Sequence, residues 1–322
     1  MSSAVFIGTV QISLRALERF IALDFPLNAI FTLPFDKGHR HSDYVDLVPI
    51  ANLNGIECVH TDFINSSESI KKIKSYEPDF IFCIGWSQIL SRNLLEIPQV
   101  GCVGFHPSAL PENRGRAVIP WTILQGRTKT AGTLFWLDKG VDSGDIIIQN
   151  PISVDYDESA STLYDKQVLG LENMLNEALP LLKDGVLPRT AQNHGTATYC
   201  SKRTRIDGFI NWELPALDIW TLIRASSKPY PGAFSLYGGS EIVIWEADLI
   251  KSPMYTGIPG QIQAIENGHA IVSCGGDTNL IVKKVQVSGH NEEIPSEVLK
   301  VQSRMGLSGY DLVSKIIGQN NK

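Results

Sequence analysis

Two stretches of the chain carry residues able to move protons. Gly104-Phe105-His106-Pro107-Ser108-Ala109-Leu110-Pro111-Glu112-Asn113-Arg114-Gly115-Arg116 places a histidine directly after an apolar run. Leu137-Asp138-Lys139-Gly140-Val141-Asp142-Ser143-Gly144-Asp145 places three aspartates around two glycines, directly after the strand-like Thr133-Leu134-Phe135-Trp136-Leu137. An imidazole changes charge near neutral pH, and a carboxylate beside it fixes the ring and steadies its cation. His106 and Asp142, on two loops, therefore form a candidate acid–base pair. Each block also has a plainer reading. A loop histidine between prolines is often structural, and an Asp-Gly cluster often only turns the chain. Pro107 and Pro111 stiffen the first loop, and Arg114-Gly115 adds a cation beside a flexible backbone position.

The elements that must position these loops alternate. Ala4-Val5-Phe6-Ile7-Gly8 reads as a buried strand, and Leu14 to Leu23 carries a helical stripe of Leu14, Leu17, Phe20 and Ile21. Leu27 to Leu33 reads as a strand, Asp43 to Leu53 as a helix, Glu57 to His60 as a strand, and Ser67 to Tyr76 as a helix capped by Ser66 or Ser67. Asp79 to Ile84 and Gly101 to Phe105 are two further apolar strands. This βαβα rhythm predicts an α/β domain with a Rossmann-like parallel, doubly wound sheet, whose ligands bind beyond the carboxyl ends of the strands. Gly8-Thr9-Val10 is not GxGxxG and reads as an ordinary turn between strand and helix.

Beyond Tyr199 the pattern changes. Thr204 to Trp212 leads into a helix over Ala216 to Ala225, and short alternating strands follow, punctuated by Gly238-Gly239, Asn267-Gly268 and Gly275-Gly276-Asp277. These predict a small antiparallel OB-like β-barrel. Ser296 to Gly318 reads as one or two amphipathic helices. The expected organisation is a catalytic domain over 1–200, a barrel over 201–292 and a helical tail over 293–322. The apolar strands of the second domain and the tail offer a contact for a homodimer.

The 322 residues suffice for two domains, and 43% are hydrophobic. The net charge of −6 argues against a nucleic-acid partner. Cys58, Cys83, Cys102, Cys200 and Cys274 are dispersed without metal-ligand spacing, which predicts reduced thiols and no metal. The first 20 residues do not have the layout of a signal peptide, and no apolar run has the roughly 20 residues needed to span a bilayer, so the expectation is a cytoplasmic protein with no membrane partner.

Together the two blocks resemble the folate-dependent formyltransferase family, which includes methionyl-tRNA, glycinamide ribonucleotide and nucleotide-sugar N-formyltransferases. The resemblance rests on His106-Pro107-Ser108, Leu110-Pro111 and Arg114-Gly115, then on Asp138, Gly140 and Asp142-Ser143-Gly144-Asp145-Ile146, with His106 and Asp142 36 positions apart. It runs from Val5 to about Val287, including Arg205-Ile206-Asp207-Gly208 to Trp212 and Arg224 to Phe234. One position departs: the family has an asparagine two residues before the histidine, where this chain has Gly104.

The resemblance implies an enzyme that moves a formyl group from 10-formyltetrahydrofolate to an amine. His106 then accepts the amine proton and Asp142 orients the imidazole. Asp138 and Asp145 shape the loop. The missing asparagine removes a donor for the developing oxyanion. A backbone amide at Gly104, a water, protonated His106 or Asn113 remain as substitutes. The folate site falls on Gly85, Trp86, Ser87, Gln88, Ile89 and Leu90, with Asp138 and Val141 along the second loop. Trp86 reads equally as core.

For the acceptor, Phe35-Asp36-Lys37-Gly38-His39-Arg40-His41-Ser42-Asp43-Tyr44 is similar to a stretch in enzymes acting on nucleotide-linked amino sugars, such as those that feed polysaccharide synthesis. With the acidic balance, this makes a nucleotide-linked amino sugar the expected acceptor. His39, Arg40 and His41 are then expected at its phosphates, with Asn113, Arg114 and Tyr230 as further substrate contacts. A solvated loop leading into a helix capped by Ser42 is the plainer reading. Two alternatives stay open: methionyl-tRNA as acceptor, and a folate-binding protein with weak transferase activity.

Overall fold

In a computed structural model of the chain, described for residues 3–251, 254–287 and 289–306, the apolar runs of the first half become the inner strands of one sheet. In order come β1 (Ala4–Ile7), α1 (Gln11–Ala22), β2 (Leu27–Thr32), α2 (Val48–Leu53), β3 (Glu57–His60), α3 (Ser67–Lys74), β4 (Phe80–Cys83), α4 (Arg92–Leu95) and β5 (Gly101–His106). After them come β6 (Arg114–Gly115), α5 (Val118–Leu124), β7 (Lys129–Trp136), β8 (Ile146–Ser153), α6 (Ala160–Lys183) and β9 (Tyr199–Cys200). The chain forms two compact units, Met1–Tyr156 with Thr162–Lys202, and Asp157–Ser161 with Arg203–Lys322.

The main sheet runs β3-β2-β1-β4-β5-β7-β8. The first five strands are parallel, as the alternation predicts. The last two differ: β7 is antiparallel to β5, with His106 opposite Thr133, and β8 is antiparallel to β7. A parallel neighbour needs a crossover of a dozen or more residues, and residues 137–145 are too few. The result is a hairpin whose connection carries Asp142.

Why the helices cover this sheet follows from their spacing. Ile12, Ala16, Leu17 and Phe20 bury one face of α1, and Phe20 meets Phe6 and Phe82 edge to face at 5.7 and 4.6 Å. Leu171, Met174, Leu175, Ala178 and Leu182 of α6 join the same core. Truncating a ring buried like that of Phe20 costs about 3–5 kcal/mol. Ser66 caps α3, its hydroxyl accepting from Ser69 N at 3.1 Å.

Two local expectations change. The helix expected from Asp43 begins only at Val48, with Pro49 in its first turn, where a missing N–H costs nothing. Residues 43–45 instead run beside the β1–α1 turn, Gln11 N donating to Asp43 O at 2.9 Å and Val45 N to Thr9 O at 3.0 Å. The Gly8 turn is a packing node. Ser13 Oγ accepts from Thr9 N and Val10 N and donates to Ile84 O at 2.6 Å, while a Cβ on Gly8 would lie 2.5 Å from that same oxygen.

The second unit holds α7 (Ala216–Ala225), β10 (Ala233–Tyr237), β11 (Ser240–Leu249), β12 (Ile262–Glu266), β13 (His269–Cys274), β14 (Thr278–Val287), β15 (Glu292–Glu293) and α8 (Pro295–Val298). Its antiparallel sheet runs β10-β11-β14-β13-β12, with β15 added on β14. The two-residue turns Gly238-Gly239 and Asn267-Gly268 have the positive φ angles of tight hairpins. Residues 299–306 replace the expected tail helix. Gln302 N donates to Ile262 O at 2.8 Å and Gly306 N to Leu236 O at 2.8 Å, so this segment ties edge strand β12 to edge strand β10. Two of its apolar residues serve the barrel core instead of a helix face: Leu299 and Met305 are 4% and 1% exposed. The rest of the expected tail, 307–318, lies outside the described residues. Among the described residues no helix is long and apolar enough to cross a membrane.

Candidate functional site

His106 is the last residue of β5 and is 5% exposed. Its Nε2 lies 2.8 Å from Asn113 O. A carbonyl can only accept, so Nε2 carries a proton and the neutral ring keeps its lone pair on Nδ1. That Nδ1 stands 3.6 Å from Asp142 Oδ2. In the neutral ring two lone-pair atoms face each other. A proton arriving on Nδ1 turns that opposition into an ion pair. The arrangement is that of a base whose charged form is supported in place.

Asn113 aims this carbonyl from a left-handed backbone, φ +53°. Its side chain faces elsewhere, Nδ2 donating to Gln125 Oε1 at 3.0 Å, while its main-chain N–H donates to Thr198 Oγ1 at 2.8 Å. Neighbouring elements brace the loop after the histidine. Thr133 Oγ1 donates to Ser108 O at 2.6 Å, Gln149 Nε2 to Leu110 O at 2.8 Å and Gln167 Nε2 to Pro107 O at 3.1 Å.

Asp142 also sits in the left-handed region, φ +49°. Its Oδ2 accepts from Gly115 N at 2.8 Å. Gly115 has φ +105°, and a Cβ there would lie 2.5 Å from Cys200 O, so only glycine lets this amide reach the carboxylate. Asp138 Oδ1 accepts from Gly140 N at 2.9 Å and from Ser143 Oγ at 2.6 Å. Asp145 O closes the hairpin by accepting from Trp136 N at 2.8 Å. The outer two aspartates thus shape the loop that presents the middle one.

At Gly104 a Cβ would lie 2.6 Å from Leu137 Cδ2 and 3.3 Å from a ring carbon of Phe135. Apolar side chains occupy the space into which an asparagine at this position would project.

Gly85 to Leu90 follow β4. Gly85 has φ +72°, and a Cβ on it would meet Ser13 Oγ at 2.3 Å. Trp86 is half-buried, and its indole Nε1 is buried with no hydrogen-bond partner among the described residues. Gln88 is tied to the neighbouring loop, accepting from Ile64 N at 3.1 Å and donating to Asp62 O at 2.8 Å. Leu90 is buried, whereas Ser87, Ile89, Asp138 and Val141 are exposed.

Several of the expected acceptor contacts are already engaged within the protein. His39 donates from Nδ1 to Asp36 O at 2.9 Å, and Arg40 is paired with Asp62. His41 is half-buried. Its pKa is lowered from the ordinary 6.5, first by burial, with Asp43 opposing and Arg116 and Arg40 adding to the fall. Arg114 is 2% exposed, so its guanidinium meets the interior and not solvent. Tyr230 belongs to the second unit.

Nothing in the sequence singles out Gln192, His194 or Tyr199, which surround Arg114. They lie in a polar stretch without periodicity, where nothing in residue type separates a buried glutamine from a solvated one. Among the described residues no cluster of three or more His, Cys, Asp or Glu side chains is arranged to hold a metal ion.

Residues 57–179 match the family model described as formyl transferase, and residues 202–303 match that of the formyl transferase C-terminal domain. The methionyl-tRNA formyltransferase of Acetivibrio thermocellus is 31% identical over 286 residues, covering 88% of this chain and 91% of that protein. That of Geobacillus thermodenitrificans is 30% identical over 324 residues, covering 100% of this chain and 99% of its own length. A solved sugar 3N-formyl transferase, WlaRD, superposes with a TM-score of 0.65 at 21% identity, over 90% of this chain and 99% of that one. At that identity the likeness is one of fold.

These relatives overturn the expected nucleotide-linked amino sugar and the expected exclusion of nucleic acid. Matches at 28–32% identity over most of the chain are methionyl-tRNA formyltransferases. The physical reasons are visible. A net charge of −6 is an average over the whole surface and does not describe one face. In the His39-Arg40-His41 stretch, Arg40 is already neutralised by Asp62.

Proposed function

We propose that this chain, which belongs to the formyl transferase family, formylates the amine of methionyl-tRNA with 10-formyltetrahydrofolate as donor. The acceptor reading is carried by one observation: the Geobacillus thermodenitrificans methionyl-tRNA formyltransferase aligns with 100% of this chain and 99% of itself. The donor reading is supported by the solved sugar 3N-formyl transferase, which was crystallised with 5-N-formyl-THF.

The folate segment fits such a ligand. Trp86 Nε1 is a buried donor without a partner, and a flat heterocycle with oxygen acceptors satisfies it. Gly85, Trp86, Ser87, Gln88, Ile89 and Leu90 would hold it, with Asp138 and Val141 on the second loop.

When bound, 10-formyltetrahydrofolate supplies the formyl carbon and a nitrogen that leaves with a proton. His106 Nδ1 takes the proton that the amine loses as the new C–N bond forms. Asp142 Oδ2, 3.6 Å away, supports the imidazolium. Asn113 O keeps the ring from turning by holding Nε2–H. The same Nδ1 returns the proton to the departing nitrogen, so the enzyme ends in its starting state.

The test is formyl transfer from labelled 10-formyltetrahydrofolate to methionyl-tRNA, measured from 50 to 200 mM salt. Formylated methionyl-tRNA is expected, with kcat/KM for the tRNA falling steeply as salt rises because phosphate contacts release counterions. No transfer to methionyl-tRNA at any salt concentration overturns the acceptor reading.

A further inference from the structure

Arg114 is a cation 2% exposed whose hydrogen-bond partners are all uncharged. Nε and Nη2 both donate to Gln192 Oε1, at 3.2 and 2.6 Å. Nη1 lies 3.2 Å from Tyr199 Oη and Nη2 lies 3.0 Å from His194 Nδ1. Burying a guanidinium on neutral acceptors is costly, so the arrangement needs a reason.

The reason lies one residue further along. Arginine only donates, so the Gln192 atom facing it must be the oxygen. The carboxamide nitrogen is therefore forced to the other side, where Gln192 Nε2 donates to Asp142 O at 3.0 Å and to Gly144 O at 2.7 Å. The residue after Arg114 supplies the second hold, Gly115 N donating to Asp142 Oδ2 at 2.8 Å. Asp142 is thus gripped by its main-chain carbonyl, through Gln192, and by its carboxylate, through Gly115, in a left-handed conformation uncommon for a non-glycine residue.

We infer that Gln192, oriented by Arg114, is a positioning residue that holds the Asp142 carboxylate against His106. This rests on the reading of His106 and Asp142 as the reacting pair. Gln192 touches no reacting atom and acts through the loop.

The test is a double-mutant cycle in single-turnover formyl transfer, with Gln192→Glu, Asp142→Asn and the pair of substitutions together. Gln192→Glu keeps an acceptor for Arg114 and replaces the donor to the two carbonyls with an oxygen that repels them. The expected result is a rate about 10- to 50-fold lower, with KM for donor and acceptor within about twofold and no loss of melting temperature. In the Asp142→Asn background the same change is expected to cost less than about twofold. Arg114→Lys keeps the buried charge without the two-pronged grip on Oε1, and serves as a second folded variant with the same expected loss in kcat alone. A wild-type rate in both Gln192→Glu and Arg114→Lys, or an equal loss with and without Asp142→Asn, overturns the inference. A wild-type rate for Asp142→Asn instead overturns the reading of the pair on which it rests.

Discussion

Asp142→Asn isolates what the carboxylate charge does. The substitution is close to isosteric, and its Oδ1 can still accept from Gly115 N, so the loop is expected to keep its place. What is lost is a full negative charge 3.6 Å from His106 Nδ1. Two unit charges at that separation interact by about 4–5 kcal/mol at an effective dielectric of about 20. The Asp142 side chain retains 20% exposure, and solvent screening brings this to about 2–4 kcal/mol. That support exists only once Nδ1 is protonated, so it belongs to the transition state and not to bound substrate. The expected effect is therefore a kcat about 30- to 1,000-fold lower, with KM for the formyl donor within about twofold. The assay is rapid-quench single turnover with labelled donor, read beside donor affinity from a binding titration. A kcat within threefold of wild type would show that the charge does not support the imidazolium. A loss seen only in KM would place Asp142 in binding instead of proton transfer.

Three further predictions concern other parts of the molecule. Trp86→Phe keeps an aromatic face, smaller than indole, and deletes the unpartnered Nε1–H, so the dissociation constant for the folate donor should rise about 3- to 10-fold, and an unchanged constant in a fluorescence titration would remove Trp86 from the folate contacts. Gly104→Asn drives a Cβ to 2.6 Å from Leu137 Cδ2, an overpacking expected to cost about 1–3 kcal/mol and several degrees of melting temperature, with much of the loss recovered in Gly104→Asn/Leu137→Ala. His41 has its pKa lowered in the fold, so below its ordinary 6.5 the unfolded chain binds a proton that the folded chain resists, and stability falls as pH falls. The melting temperature of wild type should accordingly drop relative to His41→Gln between about pH 6.5 and 5, and parallel curves would refute that sign.

The placement of the candidate site was legible where its residues sit at element boundaries written in the sequence. An apolar run ending at Phe105 places His106 at a strand end, and the Asp-Gly block after Trp136 marks a turn. The Ser66 cap was legible for the same local reason. What stayed hidden depends on direction and burial. Antiparallel and parallel strands have the same apolar pattern, so the direction of β7 against β5 is not written in it, and only for β8 does the short connection at 137–145 decide. Arg114 is expected from the sequence at the substrate, yet its charge is spent inside the fold on Gln192, a residue 78 positions away. Asn113 contributes a backbone carbonyl, to which its residue type gives no clue. The segment 299–306 falls within the stretch expected as a helix, and pairing with two strand edges decides otherwise. The acceptor was misread because a whole-chain charge says nothing about how that charge is distributed.

The most direct test incubates the enzyme with 10-formyltetrahydrofolate and methionyl-tRNA, digests the tRNA and weighs the aminoacyl-adenosine by mass spectrometry, beside a His106→Ala control that still binds the folate. One added formyl group on the methionyl amine is expected with wild type and at least about 10³-fold less with His106→Ala. An unmodified methionyl ester with wild type, or equal formylation by the variant, would contradict that expectation.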